Sequence, residues 1–381
     1  MGADRSDVDS EAAGLRSELV TSVEALERHA DAWDRLAVRQ RRPYCSPAWM
    51  LSWWRHAAPE GAQLRSVLVF ENETLVGVAP FYAMRRRGAI EYGLLAASVC
   101  GGIEPLAQPG REAECAALVG SRISAASPTP SLVRLAQTPR GSAWPGLLQD
   151  AWPAARPLLV HEQSIPAPFI ERNGQTFEQY FSERTANFRA ECRRHRRQFE
   201  SRGMVQRMAR SSAESERDLR SFATLHYGRW ESRGGTGALR PALERMLESA
   251  ARELVSSGRM RIFALDVGAE TASVQIFVAA GGEVAYWLGG FDERWAAFGP
   301  GNLAVVTAVE DFFSRGEERL DLGPGGQRYK YRFATGEGWY DCYMLLPRGR
   351  RLPLVLAVHL GRRLKLAVAR AKARRPGSRT A

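Results

Sequence analysis

Two stretches in different halves of the chain read as copies of one design. SVLVFENETLVGVAPFYA begins at Ser66, and RIFALDVGAETASVQIFVA begins at Arg261. Each joins two runs rich in Val, Leu, Ile and Phe across a short polar turn, Glu71 to Thr74 in the first and Gly268 to Glu270 in the second. Such runs predict antiparallel hairpins. A hairpin is marginal on its own in water and has to bury one face against another layer. In both halves a helical pattern precedes it: Ala48 to His56, opened by Ser46 as cap and Pro47 at the first helical position, and Pro241 to Ser256. Duplicated helix-then-hairpin units in 381 residues predict an α+β chain of two tandem domains, each a mixed, mainly antiparallel sheet flanked by helices.

The net charge of +11 suggests a nucleic-acid partner until it is located along the chain. Residues Arg348 to Ala381 carry eleven Lys and Arg and no acid, so the first 347 residues balance at 42 basic against 42 acidic. The basicity belongs to a tail, which argues against DNA. That tail sets Leu354, Leu356, Val358, Leu360, Leu364 and Val368 among Arg362, Arg363, Lys365, Arg370 and Lys372. It suits an anionic membrane surface, a partner in polysaccharide synthesis, or packing on its own domain. Cys45, Cys100, Cys115, Cys192 and Cys342 are never spaced C-x-x-C, and the six histidines are dispersed, so neither zinc nor a disulfide framework is indicated. The start lacks an apolar signal core, and the longest apolar run, Leu352 to Leu360, is too short to span a bilayer. The expectation is a cytoplasmic protein, peripheral at the inner membrane face if its tail meets lipid.

Residues 1–16 are polar and expected to be disordered. A helix is predicted over Ser22 to Arg39. Prolines crowd residues 126–168 and place the first domain at 17–165, the second at 166–347 and the basic tail at 348–381. From Thr176 to Arg202 one helix is predicted, with Phe188, Cys192, His195 and Phe199 on one stripe. Arg189, Arg193, Arg194, Arg196 and Arg197 form the other face, either solvated or gripping phosphate. A further helix carries Phe222, Leu225, His226 and Trp230, followed by a glycine hinge from Arg233 to Gly237.

Chemistry concentrates between Gly282 and Phe333, which reads as strand, glycine loop, helix, strand and a second glycine turn. The helix is marked by Leu303, Val306, Val309 and Phe313, with Asn302 as the expected cap and Gly316 as the stop. A glycine loop feeding a helix start presents free N–H groups and the positive end of the helix dipole, a natural place for an anion. Phe298-Gly299-Pro300-Gly301-Asn302 matches neither the P-loop nor the dinucleotide fingerprint, which sets aside NTPases and nicotinamide enzymes.

Tyr286-Trp287-Leu288-Gly289-Gly290-Phe291-Asp292, Trp295, Gly299-Pro300-Gly301, Asp321-Leu322-Gly323 and Tyr329-Lys330 resemble the CelD/BcsL-type proteins of the GNAT acetyltransferase superfamily, bacterial proteins linked to cellulose or other exopolysaccharide synthesis. The resemblance extends to Leu225-His226, Arg229-Trp230, the Arg-rich helix and Ser46-Pro47-Ala48-Trp49, and so covers roughly residues 20 to 345. It implies two GNAT-like halves, an arrangement shared with the FemABX-type aminoacyltransferases, with the acyl-donor site in the second. In that family the loop after the fourth strand grips the pyrophosphate of acetyl-CoA, and two strands splay to admit the pantetheine. Here the loop corresponds to Phe298, Gly299, Gly301 and Asn302, and the splayed strands to Val284–Leu288 and Arg319–Leu322. The common loop signature Q/R-x-x-G-x-G/A is absent, so acyl-CoA as co-substrate rests on position and on the physics of the helix start, not on the motif.

Transfer from a thioester requires a base for the acceptor, a donor for the oxyanion and a proton for the thiolate. His226 and Asp321 are the candidate bases, with Tyr329 and Lys330 as the candidate acid and anion contact; Trp230, Trp287 and Asp292 are the candidate acceptor contacts. No metal is expected. Three functions stay open: an acyl-CoA-dependent N- or O-acyltransferase on a small sugar, amino-sugar or lipid precursor, a FemABX-like enzyme drawing on tRNA, and a non-catalytic adaptor in polysaccharide assembly.

Overall fold

A computed structural model describes residues 14–153, 155–231 and 237–361. Most of the expected glycine hinge, and the tail beyond Gly361, lie outside the described residues. The first half opens with Leu15–Val20 (β1), Val23–Glu27 (α1), Ala30–Arg39 (α2) and Pro47–Ala57 (α3). There follow Gln63–Leu64 (β2), Ser66–Glu71 (β3), Thr74–Ala79 (β4), Phe81–Arg86 (β5), Ala89–Leu94 (β6) and Leu106–Ala107 (β7). Glu112–Ala125 (α4), Leu132–Pro139 (β8), Trp144–Asp150 (α5) and Leu158–Glu171 (β9) complete it. The second half has Phe177–Ser182 (α6), Ala186–Glu200 (α7), Met204–Met208 (β10), Ser212–Glu231 (α8) and Pro241–Leu254 (α9). Met260–Val267 (β11), Glu270–Ala280 (β12) and Glu283–Phe291 (β13) lead to Pro300–Ser314 (α10), Arg319–Asp321 (β14), Arg328–Phe333 (α11) and Gly336–Leu346 (β15). A last helix, α12, covers 352–361.

Both hairpins form, β3 on β4 and β11 on β12, each antiparallel with a local register shift. From there the halves repeat one order. Strands lead to a helix (α4 or α10), a strand (β8 or β14), a short helix (α5 or α11) and a long closing strand (β9 or β15). In each half the strand after the helix pairs parallel with an earlier strand of its own half, β8 with β6, past the short β7, and β14 with β13.

The closing strands are exchanged. β9, from the first half, pairs with β14 of the second; β15, from the second, pairs with β8 of the first; and β9 and β15 pair with each other from Leu158↔Leu346 to Phe169↔Gly336. One 11-stranded sheet therefore runs β10-β11-β12-β13-β14-β9-β15-β8-β6-β5-β2, beside a four-stranded sheet β1-β3-β4-β7. The expected boundary at 165/166 falls inside β9. Proline density suggested a linker there, yet Pro166 and Pro168 sit within the β9 ladder, opposite Trp339 and Glu337 of β15. The halves also share one core, in which Trp49 and Trp53 of α3 pack in a cluster with Met246 and Leu247 of α9 and Phe222 of α8. Trp49 and Trp53 are fully buried, which makes them core.

Two further expectations change, and one open alternative is narrowed. β1 starts at Leu15, which is buried, so order begins inside the stretch expected to be disordered. The helix over Thr176–Arg202 is two helices, because Thr176 closes a capping box with Gln179 and Thr185 caps again by accepting from the Phe188 amide. The buried stripe of α7 is Phe188, Cys192, His195 and Phe199, as the periodicity predicts. The beginning of the basic tail folds back, with Val355 of α12 buried among Ala89, Leu132, Met344 and Leu346. No helix among the described residues is long and apolar enough to cross a membrane.

Strand exchange predicts that neither half folds alone. Cutting the chain in the exposed turn between Asn173 and Gly174 should give two fragments that aggregate when produced separately, since each leaves a long sheet edge unpaired. Co-produced, they should copurify as one complex by gel filtration. A first fragment that is monomeric and unfolds cooperatively by itself would show that β15 is dispensable to it.

Candidate active site

β13 and β14 run together for three pairs only, Glu283↔Arg319, Val284↔Leu320 and Ala285↔Asp321. β14 then stops, while β13 continues to Phe291 with β12 as its one partner. The register shift opposite Ile276/Phe277 leaves Trp287 as an extra residue on β13. A bulge raises local twist and bends the strand. Beyond Ala285/Asp321 the edge of β13 from Tyr286 to Phe291 has no ladder partner on this side, and we refer to this open end of the β13–β14 pairing, with Ala285/Asp321 as its vertex, as the V.

α10 starts at the mouth of this gap. Its cap is Gly299, in the left-handed region at φ 58°, and not Asn302, which is the third helical residue. Glycine is required at this cap, because a Cβ there would lie 2.9 Å from Nδ1 of the buried His195. The Gly299 amide donates to the Ala296 carbonyl (3.1 Å) and Pro300 has no N–H. The amides of Gly301 and Asn302 find no acceptor among the described residues, and both residues are partly exposed. No acidic side chain occupies the first turn. Phe298 serves the loop through its ring, packed on Phe199 and Trp295 with the Arg202 guanidinium 4.8 Å from its centroid.

Beneath this helix start lies a polar network that the sequence reading missed. Tyr286 donates its hydroxyl to Gln275 Oε1 (2.8 Å), Gln275 Nε2 donates to Ser273 Oγ (2.9 Å), and Ser273 donates to the Gly290 carbonyl (3.1 Å). Gln275 and Ser273 are buried, and Gln275 Nε2 would be 3.6 Å from a Cβ on Gly301. Tyr329 of α11 packs against the same cluster as Tyr286, and burial raises the pKa of both phenols. The available signal was two polar residues inside the otherwise apolar strand TASVQIFVAA. The Gly289-Gly290 pair has a physical reason here: a side chain on Gly289 would overlap the Gln275 carboxamide, and one on Gly290 would meet the α8 backbone at 3.3 Å.

The sheet divides the predicted catalytic residues. Phe277, Val284, Leu320 and Leu322 belong to the core under α10, together with Tyr286 and Tyr329, whereas Ile276, Val278 and Ala285 face the core shared with the first half. Tyr329 is thus on the α10 side. Asp321, between Leu320 and Leu322, is on the other. It accepts from the Tyr340 hydroxyl and from the Gly323 amide (2.7 Å), and burial outweighs these bonds to raise its pKa. His226 of α8 is buried, with its ring hydrogen-bonded to the Gly289 main chain; burial lowers its pKa. Lys330 is no anion contact: it is buried, donates to the carbonyls of Gly323 (2.9 Å) and Pro324 (2.8 Å), and is lowered to about 8 by burial.

The expected acceptor contacts are structural in two cases. Trp287 donates its indole N–H to the Val99 carbonyl (3.0 Å) and packs against Trp49 and Phe222, clamping the halves together. Asp292 caps the following turn through the Arg294 amide (2.9 Å) and pairs with the Arg294 guanidinium, which hold its carboxyl below the usual range. Trp230 stays near the site, its ring 6.5 Å from that of His226.

On the face opposite α10, the vertex of the V opens into a cavity of about 480 Å³ between the halves. Its floor is Glu283, Ala285, Asp321 and Tyr340; the first half adds Arg42, Tyr44, Gly101 and Arg140. Tyr44 donates to the Ala285 carbonyl (3.2 Å). Burial pushes the Glu283 carboxyl up to about 8 against the opposing charge of Arg319. Among the described residues no group of three or more His, Cys, Asp and Glu could hold a metal ion.

Gly289→Ala tests the network without touching charge. By displacing the Gln275 carboxamide it should cost about 1–3 kcal/mol, read as a lower midpoint in urea with an unchanged slope. A neutral effect would mean that the carboxamide relocates freely.

Residues 186–331 match the family model described as an acetyltransferase (GNAT) domain. Comparison with curated proteins finds no match. Among solved structures, FemX aligns with a TM-score of 0.62 at 10% identity, over 90% of this chain and 100% of its own. A conserved protein of unknown function from Bacteroides thetaiotaomicron aligns at 0.56 and 11% identity, over 87% of this chain and 100% of its own. The DUF2156 domain of a candidate lysylphosphatidylglycerol synthetase from Agrobacterium fabrum aligns at 0.53 and 9% identity, over 87% of this chain and 95% of its own. At such identities these three share the fold. The matched segment begins with α7 and ends within α11, and so contains the V, the α10 start and the polar network. Residues 186–331 of the second half thus match a GNAT acetyltransferase domain, which supports acyltransferase chemistry, and the chain as a whole shares the fold of FemX.

Proposed function

We propose that the protein transfers an acyl group from acyl-CoA, held in the V between β13 and β14, to an amine or hydroxyl of a small acceptor in the cavity between the halves. The observation that carries this reading is the early end of the β13–β14 pairing together with two unpaired amides, Gly301 and Asn302, at a helix start that lies against Phe291 of β13. The diphosphate of the donor would take those amides and the helix dipole. The pantetheine would follow the free edge of β13 toward the vertex, which brings the thioester to Ala285 and Asp321. The acceptor would reach it from the opposite face.

In that arrangement the nucleophile attacks the thioester carbon, its proton passes to the carboxyl pair Glu283 and Asp321, and the C–S bond breaks. Tyr329 is the candidate proton donor to the leaving thiolate. Alignment across the sheet supplies much of the rate, so a fixed triad is unnecessary. A carboxyl held near 8 is a suitable base close to neutral pH. Asp321 is assigned to orient Glu283 and the acceptor through its bonds to Tyr340 and Gly323.

The first half offers no second donor site of this kind. Its corresponding helix, α4, carries Glu112 and Glu114 in its first turn, and Glu112 already accepts from the Gly110 amide (2.9 Å). We assign the acceptor to sugars, amino sugars or lipid precursors and the setting to exopolysaccharide synthesis, in line with the CelD/BcsL-type motifs. The FemABX-like alternative, with tRNA as donor, is favoured by one feature, the arginine face of α7. Salt-sensitive binding of aminoacyl-tRNA without acetyl-CoA binding would select it.

Calorimetry with acetyl-CoA tests the donor site through two variants. Asn302→Asp places a carboxylate in the first turn, which favours the helix by a few tenths to about 1 kcal/mol yet repels a diphosphate. It should keep or raise the melting temperature while weakening acetyl-CoA at least 10-fold, and Gly301→Asp should abolish binding. Wild-type affinity in both variants would remove the loop from the donor site.

The base is tested by pH. Because the Glu283 carboxyl holds its proton up to about 8, its basic form accumulates as pH rises through that value. Thus kcat/KM should climb between pH 7 and 9, and Glu283→Gln should flatten that limb. A limb that persists in the variant would reassign the titrating group.

A further inference from the structure

The largest cavity of the described pockets lies elsewhere, on the outer side of the second half. A cleft of about 810 Å³ runs between α6, α7 and the C-terminal part of α10. Its walls carry Arg172, Arg189, Arg193 and Arg196 against two carboxylates, Glu178 and Glu310. Arg189, Arg193 and Arg196 stand at helical spacing on one face of α7, where like charges repel. Arg196 is paired with Glu310 (2.7 Å), and Arg172 Nε donates to the Glu317 carbonyl (2.9 Å). Arg189 and Arg193 have no carboxylate partner among the described residues, and the Arg189 Nε is buried with no acceptor. Beside them Phe177 and Phe181, both half-buried, stack with ring centroids 5.3 Å apart and line the cleft over the buried Phe313.

Uncompensated guanidiniums facing half-exposed aromatic rings, in a cleft of ligand size, match a flat ring joined to phosphate. We infer that this cleft is a second binding site, for a nucleotide-type ligand, with phosphate oxygens on Arg189 and Arg193 and the base against Phe177. It is separate from the donor loop. Glu310 and Ser314 lie nine to thirteen residues beyond Gly301, about 14–20 Å along α10 at 1.5 Å per residue. The inference does not require acyl-CoA to occupy the V, whereas the tRNA-dependent alternative would give the same α7 arginines to the donor.

The test is calorimetry of the full chain at low salt with UDP, ADP and inorganic pyrophosphate, repeated under saturating acetyl-CoA. One nucleotide per chain should bind, several-fold more tightly than pyrophosphate, more weakly as salt rises, and undiminished by acetyl-CoA. Arg189→Gln with Arg193→Gln should weaken nucleotide at least 10-fold at unchanged melting temperature, and Phe177→Ala should erase the preference over pyrophosphate. The inference is overturned by absence of saturable nucleotide binding to the wild type in the millimolar range, by equal affinity for pyrophosphate, or by displacement of nucleotide by acetyl-CoA. Equal loss of acetyl-CoA affinity in the double arginine variant also overturns it, since the cleft would then be an extension of the donor site. Should the double variant unfold, the wild-type competition alone decides.

Discussion

The pairing of β9 with β15 is the contact on which the remaining architecture depends. Each is the closing strand of one half, and each completes the sheet of the other. Main-chain hydrogen bonds along an eleven-residue strand, with side chains of both halves on either side, leave no surface at which the halves could slide. The rigid placement has a chemical consequence. Tyr44, Arg42 and Arg140 of the first half are brought over the Ala285/Asp321 vertex of the second, so the cavity proposed for the acceptor exists only in the joined molecule.

Around the V, the structure resolves opposing local demands with small residues. β13 must bend away from β14, carry α8 on one side and leave space for Gln275 on the other. The bulge at Trp287 supplies the bend, and Gly289 and Gly290 supply the two close approaches. Trp287, having nowhere to go in the ladder, becomes the clamp to Val99 and Trp49. Trp287, Gly289 and Gly290 of this run are thus accounted for by how β13 is packed, and Asp292 by the turn that follows it. The polar groups on the α10 side, Gln275 and Tyr286, satisfy each other by a hydrogen bond.

Candidate site residues divided according to how local their roles are. The α10 start was readable because Gly-Pro-Gly before a helical run has local meaning, although the cap moved from Asn302 to Gly299 once the loop was seen to pass beside His195. Asp321 was readable as a strand-end acid but not as the acceptor of the Tyr340 hydroxyl, which comes from the closing strand β15. Lys330 was misjudged because a lysine after a glycine turn usually meets solvent; here the turn carbonyls of Gly323 and Pro324 fold onto its ammonium.

The sequence by itself determined the duplication, the two hairpins, the helix stripes and the helix start that presents free amides, since periodicity, caps and glycine or proline positions act within a few residues. Only the tertiary structure decided which strand closes which sheet, which side of the sheet each polar residue occupies, and that Pro166 and Pro168 lie in a strand and not in a linker. Strand partners are chosen by hydrogen bonding and burial between segments far apart in the chain. A one-residue bulge, invisible to a pattern of period two, suffices to reverse the side to which a residue points.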